Sequence, residues 1–329
     1  MHVLVTGAGG FLGSHIVRQL LARGDRVRGF SRGLYPELTS LGMQQVCGDI
    51  VDADAVRRAC QGIDAVVHTA AKAGVWGRWA NYYVPNMIGT QNVLRGCQAH
   101  GVPILVYTSS PSVTFDGSDQ KGVDESVPYP QKWLCHYPHT KALAEQAVLR
   151  ANQPGKLQTV SLRPHLIWGE GDPHLLPRLI QRAQNGRLRI VGDGQNLIDA
   201  THVENAAGAH LSAMARLAAD PNSPAAGRAY FVSQNQPVNC WQWIANLLEA
   251  AGTKRPSRQI SFKTAWRIGA TMETFYRIIG KTTEPPMTRF VAAQLATDHY
   301  FDLSAAIRLL GYQPTITNEQ GLERLSSGL

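Results

Sequence analysis

No stretch of this 329-residue chain is both long and apolar enough to cross a bilayer, and no dense block of lysine and arginine marks a nucleic-acid surface. Cysteine is sparse. Cys47, Cys60, Cys97, Cys135 and Cys240 are odd in number and scattered, with neither metal-ligand spacing nor the pattern of a disulfide-stapled secreted domain. A reducing cytoplasm is the expected compartment, and the lack of a signal peptide ahead of the first apolar run fits that expectation. Internal repeats are missing as well. What is present is a 44% hydrophobic and 17% charged composition, ordinary for a soluble protein, with a net charge of +8 that favours anionic ligands. The length suggests one large domain and a smaller one.

The most informative stretch is His2-Val-Leu-Val-Thr-Gly7-Ala-Gly-Gly10-Phe-Leu-Gly13. Val3 to Val5 read as a buried parallel strand and Ser14 to Arg23 as the following helix. Gly7, Gly10 and Gly13 serve a sharp turn, a close approach of backbone to a pyrophosphate, and tight packing of helix on strand. The free N–H groups and positive dipole end of that helix would hold the phosphates. Strand before and helix after make this a dinucleotide fingerprint. The second strand, Arg26 to Phe30, ends in Ser31-Arg32 with no carboxylate. An acid there would grip a ribose 2′-hydroxyl, whereas arginine accommodates a 2′-phosphate, so NADP(H) is expected and NAD(H) is the alternative.

A third strand, Gln45 to Asp49, brings Asp49 toward the adenine edge. A fourth, Ile63 to Thr69, is followed by Ala70 and Ala71, small enough for a cofactor to lie close. Asp52 to Cys60 and Trp79 to His100 read as helices, the second disturbed by Pro85, and Val102 to Thr108 as a fifth strand. This alternation predicts the α/β class: a Rossmann-type, doubly wound parallel sheet with a smaller, mostly helical C-terminal substrate domain. Residues 1–170 would form the nucleotide-binding domain, with segments near 196–232 returning to it, and residues 171–329 mainly the substrate-binding region. In that second part Leu175 to Asn185 and Val203 to Ala218 read as helices, and Arg187 to Val191, Asn196 to Thr201 and Ala229 to Val232 as strands.

Tyr137-Pro-His-Thr-Lys141 places a phenol and an ammonium four residues apart, on one helical face. Lys141 would favour the phenolate by charge and lower the tyrosine pKa. The fifth strand runs into Thr108-Ser109-Ser110-Pro-Ser112 at the carboxyl edge of the sheet, where a serine hydroxyl could hold a substrate oxygen beside Tyr137.

Thr6-Gly7-x-x-Gly10-x-x-Gly13, a serine after the fifth strand and Tyr137-x-x-x-Lys141 together resemble the extended short-chain dehydrogenase/reductase superfamily. His68-Thr-Ala-Ala71, Asn86-x-x-Gly89-Thr90, Arg163-Pro164 with Gly169, and Val203-Glu204-Asn205 add to the likeness, which spans the chain and looks like the 3β-hydroxysteroid dehydrogenase-like branch. The resemblance implies Ser110, Tyr137 and Lys141 as the catalytic residues. It also implies a cofactor site of Gly7, Gly10, Phe11, Leu12, Gly13, Ser31, Arg32, Asp49, Ile50, Ala70, Ala71, Lys72, Tyr137, Lys141, Pro164 and Leu166. Pro164 and Leu166 would lie near the nicotinamide, and Asn86 would support the lysine through a water relay. No metal is implied.

Ala71-Lys-Ala-Gly-Val-Trp76-Gly, Leu162-Arg-Pro-His-Leu-Ile-Trp-Gly169, Ile260-Ser-Phe-Lys-Thr-Ala-Trp-Arg-Ile-Gly269 and Glu284-Pro-Pro-Met-Thr-Arg-Phe290 are similar to bacterial reductases of long-alkyl β-keto acids in olefin biosynthesis. Those carry threonine where Ser110 stands, which preserves the hydroxyl. The implied activity is NADPH-dependent reduction of a hydrophobic acidic small molecule by a homodimer, in association with other enzymes of the pathway. A 3β-hydroxysteroid dehydrogenase, a nucleotide-sugar epimerase or dehydratase, and a non-catalytic NADP-binding regulator are the alternatives. Ala265, Trp266, Ile268, Met272, Phe275, Tyr276 and Ile279 form an apolar stripe at helical spacing. Packing, a cover over an acyl chain, and a membrane-surface contact are its three readings, of which the acyl-chain cavity is carried forward.

Overall fold

Seven short apolar runs become the strands of one wholly parallel sheet in the computed structural model, which describes residues 1–328. The strands are β1 (His2–Thr6), β2 (Arg26–Ser31), β3 (Gln44–Cys47), β4 (Ala65–His68), β5 (Ile104–Thr108), β7 (Gln158–Pro164) and β8 (Arg228–Val232). A further strand, β6 (Gln120–Val123), falls between β5 and β7 in the chain and belongs to another sheet. The order across the sheet is β8-β7-β5-β4-β1-β2-β3. Its strands are apolar on both faces because helices cover both. Between β1 and β4 the order reverses, and a crevice opens beyond the carboxyl ends there, which is where such sheets take ligands.

One face is covered by α1 (Phe11–Ala22) and α8 (Val203–Ala219), packed through Ile16, Val17, Leu20, Ala206 and Ala213. The other face carries α3 (Ala53–Ala59), α5 (Gly89–His100) and α6 (His136–Arg150), through Val56, Val93, Leu94, Ala144 and Val148. Between α1 and α8 in the chain lie also α2 (Pro36–Thr39), α4 (Trp79–Tyr83) and α7 (Leu175–Gln184), and beyond them α9 (Cys240–Ala250), α10 (Phe262–Ile278) and α11 (Arg289–Gln294). A second apolar cluster packs Trp168, Trp241, Trp243, Leu247 and Leu248 under this C-terminal part. A small sheet joins β6, β9 (His299–Phe301), Leu197–Ile198 and Val238–Asn239. No described helix is long and apolar enough to cross a membrane.

Several boundaries move for physical reasons. The first helix begins at Phe11, three residues earlier than expected, because Gly10 is its N-cap and the glycine loop turns directly into it. The third strand stops at Cys47, so Asp49 stands in an exposed loop, its carboxylate accepting from Val51 N–H. Trp79 to His100 is broken by a π-helical turn, Val84–Ile88, which accommodates Pro85 by widening the helix. Asn196 to Thr201 is not one strand. Leu197–Ile198 joins the small sheet and Thr201–His202 pairs with Ile167–Trp168, while Arg187 to Val191 shortens to Ile190–Val191.

Candidate active site

Three glycines shape the loop after β1, each for a reason visible in the packing. Gly7 has φ +70°, and a Cβ there would lie 2.9 Å from the Ala70 backbone. A Cβ on Gly13 would meet the Gly7 carbonyl at 2.1 Å, so the helix could not seat on the turn. The N-terminus of α1 has no side-chain cap and no acid in its first turn, leaving the backbone N–H groups of Phe11, Leu12 and Gly13 for an anion. These features fit a dinucleotide pyrophosphate. Gly9 adds a constraint the glycine spacing did not announce. The Tyr35 ring occupies the space of its missing side chain, 1.9 Å from an ideal Cβ, and clamps the loop after β2 against the glycine turn. On that loop Arg32 is exposed and makes no hydrogen bond or ion pair among the described residues, while the Ser31 hydroxyl donates to the Gly33 carbonyl at 3.5 Å.

A buried polar chain ties this loop to α6. Burial drives the His68 imidazole down to about 3, so the ring is neutral. The Thr90 hydroxyl donates to the Asn86 carbonyl at 2.6 Å, so it accepts from His68 Nε2–H at 2.9 Å. His68 Nδ1 then accepts from the Thr6 hydroxyl at 2.6 Å. Asn86 continues the chain: its Oδ1 accepts from Lys72 N–H (2.7 Å), and its Nδ2 donates to the Lys72 carbonyl and the Thr140 hydroxyl (both 3.0 Å). Thr140 in turn donates to the Tyr137 carbonyl. Asn86 therefore reaches the catalytic helix through Thr140 and fixes the backbone of Lys72. It makes no direct hydrogen bond to Lys141.

Tyr137 lies in the first turn of α6, where Pro138 removes an N–H that has no intrahelical partner. Ser110 caps the short turn Pro111–Thr114, its Oγ accepting from Ser112 N–H and lying 2.9 Å from Ser112 Oγ. Burial raises the Tyr137 phenol to about 12, with the Ser110 side chain pulling the other way. Lys141 is buried one turn on. Its ammonium donates to the Thr108 carbonyl at 2.5 Å and sits 4.2 Å above the Tyr107 ring. Burial brings it from 10.5 down to about 7, with Glu145 opposing. The expected lowering of the Tyr137 pKa by Lys141 is thus replaced by a rise. Desolvation dominates, and the ammonium is engaged by a carbonyl.

Lys141 gives a pH prediction. Between about pH 7 and 10.5 the unfolded chain binds a proton here that the folded chain does not, so this residue makes stability rise with pH across that window. Below it, the penalty of burying the charge is fully present. Lys141→Met should remove this contribution, so the difference in urea midpoint between variant and wild type should shrink from about pH 6 to about pH 9.5. A difference independent of pH would show that Lys141 titrates normally.

Glu145, the next residue in the series Tyr137, Lys141, Glu145, was absent from the sequence reading although its four-residue spacing puts it on the same face. It is fully buried, and its carboxylate accepts from the Tyr129 hydroxyl, the Ser161 hydroxyl and the Arg163 guanidinium (2.7–3.2 Å). Pro164 closes β7, and Leu166 beyond it has φ 39°, a left-handed conformation that a branched residue adopts only under constraint. Ile50 is buried against Gly89, and Ala70 and Ala71 follow β4 at the crevice. His136 and His139 pack on Trp79.

The apolar stripe on α10 does not line a closed cavity. Ala265, Gly269 and Glu273 form its buried face, whereas Phe275 and Ile279 are 56% and 51% exposed, and the neighbouring Ile278 is 79% exposed. Small residues let α10 press against the backbone of Thr288 and Arg289, while Trp266, Met272 and Tyr276 are half-buried and Ile268, Phe275, Ile278 and Ile279 are turned outward.

Residues 4–264 match the 3-beta hydroxysteroid dehydrogenase/isomerase family. A 2-alkyl-3-oxoalkanoate reductase of Stenotrophomonas maltophilia (strain K279a) is 48% identical over 330 residues, covering 99% of each chain. Another, from Shewanella oneidensis, is 45% identical and covers 100% of this chain and 86% of its own. Among solved structures, that of gox2253 superposes with a TM-score of 0.80 at 24% identity, over 99% of this chain and 97% of the other.

Proposed function

The chain belongs to the 3-beta hydroxysteroid dehydrogenase/isomerase family of oxidoreductases, and from that premise we propose that it is an NADPH-dependent reductase of β-keto acids with long alkyl chains, forming the 2-alkyl-3-hydroxyalkanoate. The observation that carries the reading is that Lys141, one turn after Tyr137 on α6, reaches the Thr108 carbonyl at the end of β5, two residues before Ser110. Burial keeps the Tyr137 phenol protonated at neutral pH, the form in which it can donate to a substrate oxygen. The two curated relatives with the highest identities given above supply the substrate class.

When bound, NADPH supplies the hydride. Gly7, Gly10 and Gly13 with the N–H groups of Phe11 and Leu12 would hold its phosphates, and Pro164 and Leu166, whose φ is 39°, would border the nicotinamide. Ser110 donates to the substrate carbonyl oxygen, and Tyr137 delivers its proton to the same oxygen as negative charge develops there. Lys141 stands one helical turn away to neutralise the phenolate left behind, replacing its bond to the Thr108 carbonyl.

Arg32 and Ser31 are assigned to the 2′-phosphate. Arg32→Ala should weaken NADPH binding by about tenfold or more and leave NADH nearly unchanged, since a charge-assisted contact to phosphate contributes roughly 1.5–3 kcal/mol. Fluorescence titration of both cofactors checks this, and equal losses would move the preference elsewhere. The function itself is tested by following NADPH oxidation with a long-chain 2-alkyl-3-oxoalkanoate, and by offering a 3β-hydroxysteroid with NADP and a nucleotide sugar. Faster turnover of either of the latter would overturn the reading.

A further inference from the structure

The outward face of α10 is inverted relative to an ordinary surface helix. Its buried side is small and polar: Gly269 lies so near the next element that a Cβ would meet Arg289 N at 2.7 Å, and Glu273 accepts from the Arg289 N–H and guanidinium. Its exposed side presents Ile268, Phe275, Ile278 and Ile279, the last three more than half exposed. Around them stand the exposed Lys263, Arg267 and Lys281, and the helix's single acid is the buried Glu273, with which the exposed Arg277 pairs at 3.6 Å. An apolar ridge flanked by cations with no accessible acid is the pattern of a helix that lies in a membrane interface.

The ridge also adjoins the candidate site. Trp76, in the segment that follows β4 past Ala70 to Lys72, donates its indole N–H to the Lys281 carbonyl at 3.0 Å. The Arg277 guanidinium covers the Trp76 ring, and Tyr276 meets it edge-on. The segment that follows β4 and the C-terminal end of α10 are therefore one continuous surface.

We propose that this face of α10 docks on an anionic lipid surface and sets the mouth of the site against it. Phe275, Ile278 and Ile279 enter the acyl boundary while Arg267 and Lys281 pair with lipid phosphates. The position beside the mouth has its purpose in the acyl-chain reading above, on which this part rests: an amphiphilic substrate would pass from the bilayer without crossing water.

The test is co-sedimentation of the full chain with vesicles of phosphatidylglycerol and phosphatidylethanolamine, and separately of phosphatidylcholine. Partition onto the anionic vesicles that weakens with salt is expected, with little onto phosphatidylcholine. Phe275→Ser with Ile278→Ser, and separately Arg267→Gln with Lys281→Gln, should each lower that partition by about tenfold, while turnover of a short, water-soluble β-keto acid stays at wild type. The substituted side chains are exposed, so the folded state should tolerate them. No partition of the wild type, or equal partition of wild type and variants, overturns the proposal. So does light scattering in which the serine variant dissociates a larger assembly while the wild type ignores vesicles, because a protein surface would then cover the ridge. Vesicle binding is measured without substrate. Its loss would leave the reductase reading intact, and failure to reduce a long-chain β-keto acid would leave docking intact.

Discussion

Tyr137→Phe should lower turnover by roughly 10²–10⁴-fold, the usual contribution of a positioned proton donor, while NADPH affinity stays near wild type. The substitution keeps the ring in the first turn of α6 and removes only the hydroxyl. Nothing replaces the lost proton, because the neighbouring Ser110 hydroxyl is a far weaker acid and the Lys141 ammonium is turned to the Thr108 carbonyl. Single-turnover kinetics with a bound-cofactor control separates the chemical step from binding. A loss smaller than about tenfold would remove Tyr137 from the mechanism.

Glu145→Ala should destabilise the fold by about 3–5 kcal/mol, the cost of stranding a buried charge when its partner is removed. Arg163 is 3% exposed and Glu145 fully buried, so neither water nor another acid can step in. Burial works against the Glu145 carboxylate, yet the Arg163 guanidinium and the surrounding donors hold its pKa below the ordinary value. Against a typical total stability of about 5–15 kcal/mol, such a loss is large. Glu145→Gln retains an acceptor for the Tyr129 and Ser161 hydroxyls and should fall between. Urea unfolding measures both, and a change below about 1 kcal/mol for the alanine variant would show the pair to be incidental. Glu145 sits on the helix that carries Tyr137 and Lys141, so this pair fastens the catalytic face of α6 to β7.

Much of the site was legible because its chemistry is local. The glycine turn needs a strand before it and a helix after it, and all three lie within the first 22 residues. Tyr137 and Lys141 share a face by helical geometry alone. Strand-helix alternation was enough to expect the parallel sheet. Less local features escaped. Tyr35 filling the place above Gly9 joins residues 26 positions apart through the β1–β2 pairing. The partners of Glu145 come from β7 and from the loop before α6, so its spacing alone could not distinguish a buried ion pair from a solvated acid.

By itself, then, the amino-acid order determined the nucleotide-binding architecture, the glycine cradle, the hydroxyl–phenol–ammonium set and the missing acid after β2, because each depends on backbone periodicity or on near neighbours. Only the tertiary structure decided protonation and facing. Burial raises Tyr137 and lowers Lys141, reversing the electrostatic order expected from their spacing, because desolvation depends on everything packed around them. The facing of α10 was decided in the same way. Periodicity identified an apolar stripe, but the closely packed face against Thr288 and Arg289 holds Ala265, Gly269 and the paired Glu273, so Phe275 and Ile279 of the stripe are left at the surface.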